Sequence, residues 1–401
     1  GTAKRSYRGD EVNQRRVSFQ MASKGRFYRW GVITRQVVIN HRGRWGVFGL
    51  AMLLLTQIAP APARLIPEPP KTVQTQHPIT CVHTRLDGEV TDLAIHRTLQ
   101  MVREMGAPTI VELFLWAYLE PTEGGYDWHH ADRAVEMAQQ QGIKIIARIG
   151  FVPTWARPKP EIQRTSLNYL SPDYFDEYAR FIGVFAARYR GKIDHIIPWN
   201  EPNLSFEWGY QGVSVESYVE LLRQVYTAAK AANPEVSILG GALAPTLERS
   251  PNALDDLEYL RQMYAAGAAP YFDGLAVHTY GFTLPALDAP APDRLNFRRF
   301  ELLWEVMRDN GDGDKPVYIT ESSWNDHPRW IHAVKPGQRV KYTLEALDYA
   351  EQNWHTVRKL CFWYFRSPTL HHTYQDYFAF VTVEFRPRPI YDEVRAWAQG
   401  Q

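Results

Sequence analysis

From residue 78 onward, short apolar runs alternate with longer stretches in which apolar residues recur every three or four positions. The short runs read as buried strands at Ile79–His83, Ile110–Phe114, Ile143–Ile149, Ile193–Trp199, Val236–Leu239, Gly274–His278, Val317–Thr320 and Leu360–Phe365. The longer stretches predict amphipathic helices over Asp92–Met105, His129–Gln141, Asp173–Arg190, Glu216–Ala232, Leu254–Ala266, Arg294–Asp309 and Val340–Trp354. Each connection is long enough for a helical crossover, so the strands run parallel. Eight such units within residues 78–401 suit a (β/α)8 barrel with long loops. A doubly wound open sheet is the competing architecture, but no glycine-rich phosphate fingerprint follows any strand.

Upstream the pattern changes. Residues 1–44 lack sustained periodicity and hold 11 Lys/Arg against 2 Asp/Glu, as expected of a basic region outside the fold. They lead into a 14-residue apolar run, Trp45–Ile58, followed by Ala59-Pro-Ala-Pro-Ala63. That run is short for a bilayer span of about 20 residues and close to the length of a signal-peptide core, so export is the better reading. Residues 45–63 then form a signal segment or, if uncleaved, an N-terminal membrane anchor through residues 45–58, with the basic region cytoplasmic. Pro67, Pro69 and Pro70 make residues 64–77 a stiff linker, leaving 78–401 as the folded domain. The expected location is extracytoplasmic, secreted or tethered.

Composition narrows the partners. The net charge of +1 over 401 residues hides a mildly acidic body, with 34 Lys/Arg against 42 Asp/Glu beyond residue 44, which argues against a nucleic-acid partner. Thirteen Trp and 22 Tyr, many in predicted loops, would suit the C–H faces of sugar rings as well as ordinary packing. Cys81 and Cys361 fall in the first and last strands, which are neighbours when a barrel closes. An exported protein could oxidise the pair. Two free, buried cysteines fit better, because bridges between adjacent parallel strands match disulfide geometry poorly.

In a (β/α)8 barrel, chemistry gathers where strands end and βα loops begin. Two exits carry carboxylates where ordinary design would place a turn residue. The fourth strand leaves through Trp199-Asn-Glu201-Pro-Asn203, and the seventh through Ile319-Thr-Glu321-Ser322. Strands four and seven face each other across a barrel mouth. Glycoside hydrolysis needs such a facing pair, one group to protonate the leaving oxygen and one to attack the anomeric carbon or activate water. A capping carboxylate and a salt-bridged strand end are the structural alternatives.

These motifs, with Trp116-Ala-Tyr-Leu-Glu-Pro121 and Gly125-Tyr-Asp-Trp128 after the second strand, resemble glycoside hydrolase clan A, the retaining (β/α)8 enzymes, with family 39 and family 5-like members nearest. The resemblance spans roughly residues 78–397. It implies that Glu201 is the acid/base and Glu321 the nucleophile, and that no cofactor is needed. It further implies that Asn200 binds the sugar 2-hydroxyl, that Tyr280 or His278 orients the nucleophile, and that Trp363 forms an aromatic platform. On strand eight, side-chain alternation leaves Trp363 or its neighbours Phe362 and Tyr364 facing the mouth.

His83, Arg85, Trp116 and Arg148 are further candidate contacts, with core packing or ion pairing as the alternative for each. Phe206, Trp208, Tyr210, Trp155 and Trp324 lie in loops where they could build outer subsites or pack those loops down. No His/Cys/Asp/Glu spacing predicts a metal site, since His129-His130 and His371-His372 are adjacent pairs that chelate poorly from a regular element. The expected partner is a carbohydrate. A catalytically silent carbohydrate-binding barrel is the rival reading, and the presence of both glutamates weighs against it.

Overall fold

Eight parallel strands close into a barrel in chain order, each hydrogen-bonded to its sequence neighbours and β8 to β1. This is the arrangement in a computed structural model that describes residues 69–157 and 166–401. The strands are β1 (Thr80–His83), β2 (Thr109–Leu115), β3 (Lys144–Gly150), β4 (Ile193–Ile197), β5 (Ser237–Leu243), β6 (Gly274–Tyr280), β7 (Val317–Ser323) and β8 (Val357–Phe362). Helices α1 (Asp92–Met105), α2 (His129–Gln140), α3 (Phe175–Arg188), α4 (Val215–Ala232), α5 (Asp256–Ala265), α6 (Phe300–Asp309), α7 (Pro336–Asn353) and α8 (Pro389–Ala398) surround it. The (β/α)8 expectation is met. The basic region, the apolar run and the first part of the linker lie outside the described residues, and among those described no helix is long and apolar enough to cross a membrane.

Local chemistry sets the element ends. Thr91 accepts the Ala94 N–H to start α1, and Gly106, at φ 90°, ends it in a left-handed turn. Ser214 and Asp255 cap α4 and α5 in the same way, accepting from Ser217 and Glu258 N–H. Strands buried on both faces explain the near-continuous apolar runs.

Inside the barrel, period-two alternation builds layers. Cys81, Val111, Ile146, Ile197, Leu239, Ala276 and Cys361 form a dry interior cluster with Tyr318 and Ala242. Two residues further along β1, β3, β6 and β8, the same inward face delivers His83, Arg148, His278 and Trp363 to the mouth.

The cysteines require a correction. Cys81 and Cys361 pair directly in the β1/β8 register with their Cα atoms 4.1 Å apart, and they form a disulfide. On a flat sheet the side chains of neighbouring strands run side by side. Inside a tightly curved barrel, inward-pointing side chains converge, and here they meet.

At the floor, residues 71–77 run under the helix C-termini. Lys71 N–H donates to Gln140 O, Gln76 N–H to Ala398 O, and the His77 ring stacks on Trp397 at 3.9 Å.

Candidate active site

Glu201 does not end β4 directly. The strand stops at Ile197, and Pro198, Trp199 and Asn200 lead irregularly to Glu201, whose φ is 45°. A non-glycine residue in that region is held there by its surroundings. A bulge in β5 supplies the restraint: the register shifts between Gly241 and Leu243, and the freed carbonyl of Ala242 accepts the Glu201 N–H at 3.0 Å. Behind the turn, the Trp199 N–H donates to Glu207 O, and its ring packs on Tyr178 and Trp208.

Glu321 lies within β7, which continues to Ser323, rather than at its end. Register shifts against β6 and β8 at this level insert an extra residue, so Glu321, three positions after inward-facing Tyr318, also faces inward. Its carboxylate is held from two sides. Arg148 Nη1 donates to Oε1 at 2.8 Å, and Tyr280 Oη donates to Oε2 at 2.7 Å. The same Arg148 Nη1 lies 2.8 Å from Asn200 Oδ1, tying the strand-four exit to the strand-seven carboxylate.

His278 joins the two glutamates. Its Nδ1 lies 2.7 Å from Glu201 Oε1 and 3.7 Å from Glu321 Oε2. Burial opposes protonation of this ring, but the charge of Glu321 and the contact with Glu201 outweigh it and raise its pKa above the usual histidine range. His83, beneath Trp363, goes the other way: complete burial, then the nearby Arg148 guanidinium, hold it well below that range and therefore neutral. Its Nε2 lies 3.9 Å from Glu321 Oε1 without a hydrogen bond. Burial, reinforced by the charge of Glu321, pushes the Tyr280 phenol well above its ordinary value, so it remains a donor.

Arg148, Asn200, Glu201, Tyr280 and Glu321 line a cleft of about 330 Å³ together with Glu207, Phe282, Trp330, Trp363, Tyr374, Gln375 and Phe378, with the buried His278 and His83 behind its wall. Trp363, not Phe362 or Tyr364, faces it, since the latter two are buried and the Tyr364 hydroxyl is spent on Gln375 O. The structure thus gathers Glu201, Glu321, Asn200, His278, Tyr280, Trp363 and His83 at one mouth.

Three other predicted contacts are not brought there. Trp116 is buried, its N–H donated to Glu120, which also accepts from Gly124 N–H and Arg180. Trp208 is packed behind Trp199. Trp324 is buried with its N–H on Leu284 O, and its indole lies so close to Gly281 that a Cβ there would fall 1.9 Å from it. Trp324 therefore shapes the cleft indirectly, by seating the turn between Tyr280 and Phe282. Of the outer-subsite candidates, Trp155 donates to Glu120 O, and Phe206 and Tyr210 stand exposed on the rim.

Glu207, Trp330, Tyr374 and Phe378 were not foreseen. They sit on long irregular loops with no periodicity to mark them. Glu207 comes six residues after Glu201, a position that only the folded loop turns toward the cleft.

Glu201, His278 and Glu321 also bring one potential ligand atom each to within 4.8 Å of one another, the one such group among the described residues. They come from three separate strands or strand exits, so no sequence spacing could reveal them. An ion there would displace the hydrogen bond between His278 and Glu201.

Chemically, the mouth offers two carboxyl groups on opposite walls with a bridging imidazole, a cation and a phenol fixing one of them, and a flat aromatic ring to one side. The glycoside hydrolase family 42 model, described as Beta-galactosidase, matches residues 89–233. No curated protein matches the chain. A family 39 glycoside hydrolase from Bacteroides cellulosilyticus WH2 superposes with a TM-score of 0.64 at 18% identity, over 82% of this chain and 65% of its own length. A monomeric β-xylosidase from Caulobacter crescentus CB15 gives 0.58 at 18% identity, over 80% of this chain and 69% of that one. GH5_18 from Streptomyces cattleya, in complex with GlcNAc, gives 0.59 at 16% identity, over 82% of both. At these identities the structural likeness is one of fold. A family model over part of the chain and a fold shared with family 39 and family 5 enzymes thus both point to glycoside hydrolases.

Proposed function

We propose that the chain hydrolyses β-glycosidic bonds with retention of anomeric configuration, Glu201 acting as acid/base and Glu321 as nucleophile. The supporting observation is the distance between them: an oxygen of each carboxyl group lies within 4.8 Å of the other. Retaining enzymes hold their carboxyl groups about 5–5.5 Å apart, whereas inverting enzymes leave roughly 6.5–9.5 Å for a water molecule.

In the first step Glu201 gives its proton to the glycosidic oxygen while Glu321 attacks the anomeric carbon from the opposite face. The aglycone leaves and a glycosyl ester forms on Glu321. In the second, Glu201 takes a proton from water, whose oxygen attacks the same carbon and releases Glu321. Arg148 and Tyr280 occupy both oxygens of Glu321, which fixes its attack direction and receives its charge again when the ester breaks. Trp363 supplies a flat apolar face for the ring, and Asn200, fixed by Arg148, is placed beside the acid/base to meet the 2-hydroxyl.

The substrate we assign is a β-linked oligo- or polysaccharide. Relatives of this fold include a β-xylosidase and a GH5_18 enzyme captured with Manβ1-4GlcNAc. We place the enzyme outside the cytoplasm, secreted or tethered by residues 45–58; the Cys81–Cys361 bond suits an oxidising compartment.

The decisive experiment screens aryl β-glycosides against wild type, Glu201→Ala and Glu321→Ala. With azide, Glu201→Ala should yield a β-glycosyl azide and Glu321→Ala an α-glycosyl azide. Full activity in either variant, or an inverted first product by NMR, sinks the assignment.

A further inference from the structure

The cleft holds more carboxyl groups than the double displacement uses. Glu201, Glu207 and Glu321 all line it, and Arg148 is the one Lys or Arg among the described lining residues. Arg148 is committed to Glu321, and His278 to Glu201. Glu207 has no part in either pairing. Its Oε2 accepts the Asn168 amide at 2.9 Å, its main chain is anchored by Trp199, and among the described residues no Lys, Arg or His lies within salt-bridge distance of it.

A carboxylate that faces a cleft and has amide donors as its hydrogen-bond partners among the described residues gains from a cation arriving with the ligand. Asn200 adjoins Glu207 in the cleft, and on the proposed mechanism Asn200 meets the sugar C2 substituent. We propose that Glu207 is a specificity-determining residue that receives the ammonium of a 2-amino-2-deoxy sugar, making un-acetylated amino-sugar β-glycosides the preferred substrate class. The assignment of C2 rests on the retaining-glycosidase reading. Burial, then the charge of Glu201, pushes Glu207 up to about 7, while Arg148 opposes them. An ammonium in contact with Glu207 would reverse that shift, so a proton leaves Glu207 when the amino sugar binds near neutral pH.

The test is calorimetric, on the full chain, and needs no turnover. Methyl β-glycosides of glucose, galactose and mannose are titrated beside their 2-amino-2-deoxy counterparts at pH 7, in two buffers of different ionisation enthalpy. Wild type should bind at least one amino form about tenfold or more tightly than its hydroxyl partner. Binding should release protons, and in Glu207→Gln both the preference and the release should vanish. Equal affinities within every pair in wild type, or a preference that survives in Glu207→Gln, overturns the proposal. If wild type hydrolyses neutral β-glycosides yet shows no amino preference, this inference alone fails. If it binds amino sugars through Glu207 but hydrolyses nothing, the catalytic reading fails instead.

Discussion

The guanidinium of Arg148 reaches from β3 across the barrel mouth to lie 2.8 Å from Oε1 of Glu321 on β7. The same nitrogen holds Asn200, and the guanidinium carbon lies 5.7 Å from the Trp363 ring centre, so one side chain sets the spacing of residues on three other walls. Arg148→Met should lower kcat/KM by about 10²-fold or more, in line with removing a preorganised donor to developing charge. Arg148→Lys should recover only part, because the lysine side chain is one atom shorter and its ammonium falls short of the position of Nη1, which holds both partners. Steady-state kinetics with circular dichroism to verify folding would decide; wild-type kinetics in Arg148→Met would refute the hub role.

The phenol of Tyr280 is the second hold on Glu321. Tyr280→Phe keeps the ring, which packs on Phe378 at 5.9 Å, and removes only the donor. A hydrogen bond to a charged group contributes roughly 1.5–3 kcal/mol, so kcat should fall roughly tenfold to a hundredfold. On the proposed mechanism most of the loss should appear in kcat, since the hydroxyl holds Glu321 rather than the sugar. A change confined to KM would show that Tyr280 binds substrate instead.

His278 makes stability depend on pH in a direction that can be worked out. Its folded pKa is raised above the ordinary value of 6.5, so the folded state holds the proton more tightly than the unfolded chain. The resulting stabilisation is complete below about 6.5 and is lost as pH rises through the higher folded value. The Tm difference between wild type and His278→Gln should therefore narrow from pH 6 to pH 9. His83, whose pKa is lowered, should behave oppositely against His83→Gln, its contribution fading as pH falls below 6.5. Differential scanning fluorimetry across pH checks both signs.

The Cys81–Cys361 bond closes a 280-residue separation at the seam between β1 and β8. Restricting so long a loop in the unfolded chain is worth on the order of 5 kcal/mol at most. Reduction, or the double variant Cys81→Ala/Cys361→Ala, should lower the denaturant midpoint while leaving the cleft residues in place. A midpoint insensitive to reductant would show the thiols unpaired in solution.

Much of this was legible beforehand, for physical reasons. A parallel barrel buries both faces of each strand, so strands appear as apolar runs, and alternation carries His83, Arg148, His278 and Trp363 to the mouth together. Three things broke that regularity. Bulges beside Ala242 and Glu321 moved the glutamates off the simple strand-end rule, and interior curvature brought the cysteines together. The loops placed Glu207, Trp330 and Tyr374 in the cleft, yet kept Trp116, Trp208 and Trp324 behind it, where every indole N–H already has a protein acceptor or a packed layer around it. An aromatic residue in a loop carries no sign of which way it turns.

The strap along the floor bears on how the enzyme can be attached to anything. With Gln76 and Thr75 bonded to the end of α8, His77 hydrogen-bonded to Glu351, and Lys71 fastened to α2, the polypeptide enters the barrel from the side opposite the cleft. A support or a fusion partner joined at Pro69 would therefore pull on the floor and leave the cleft on the far side free.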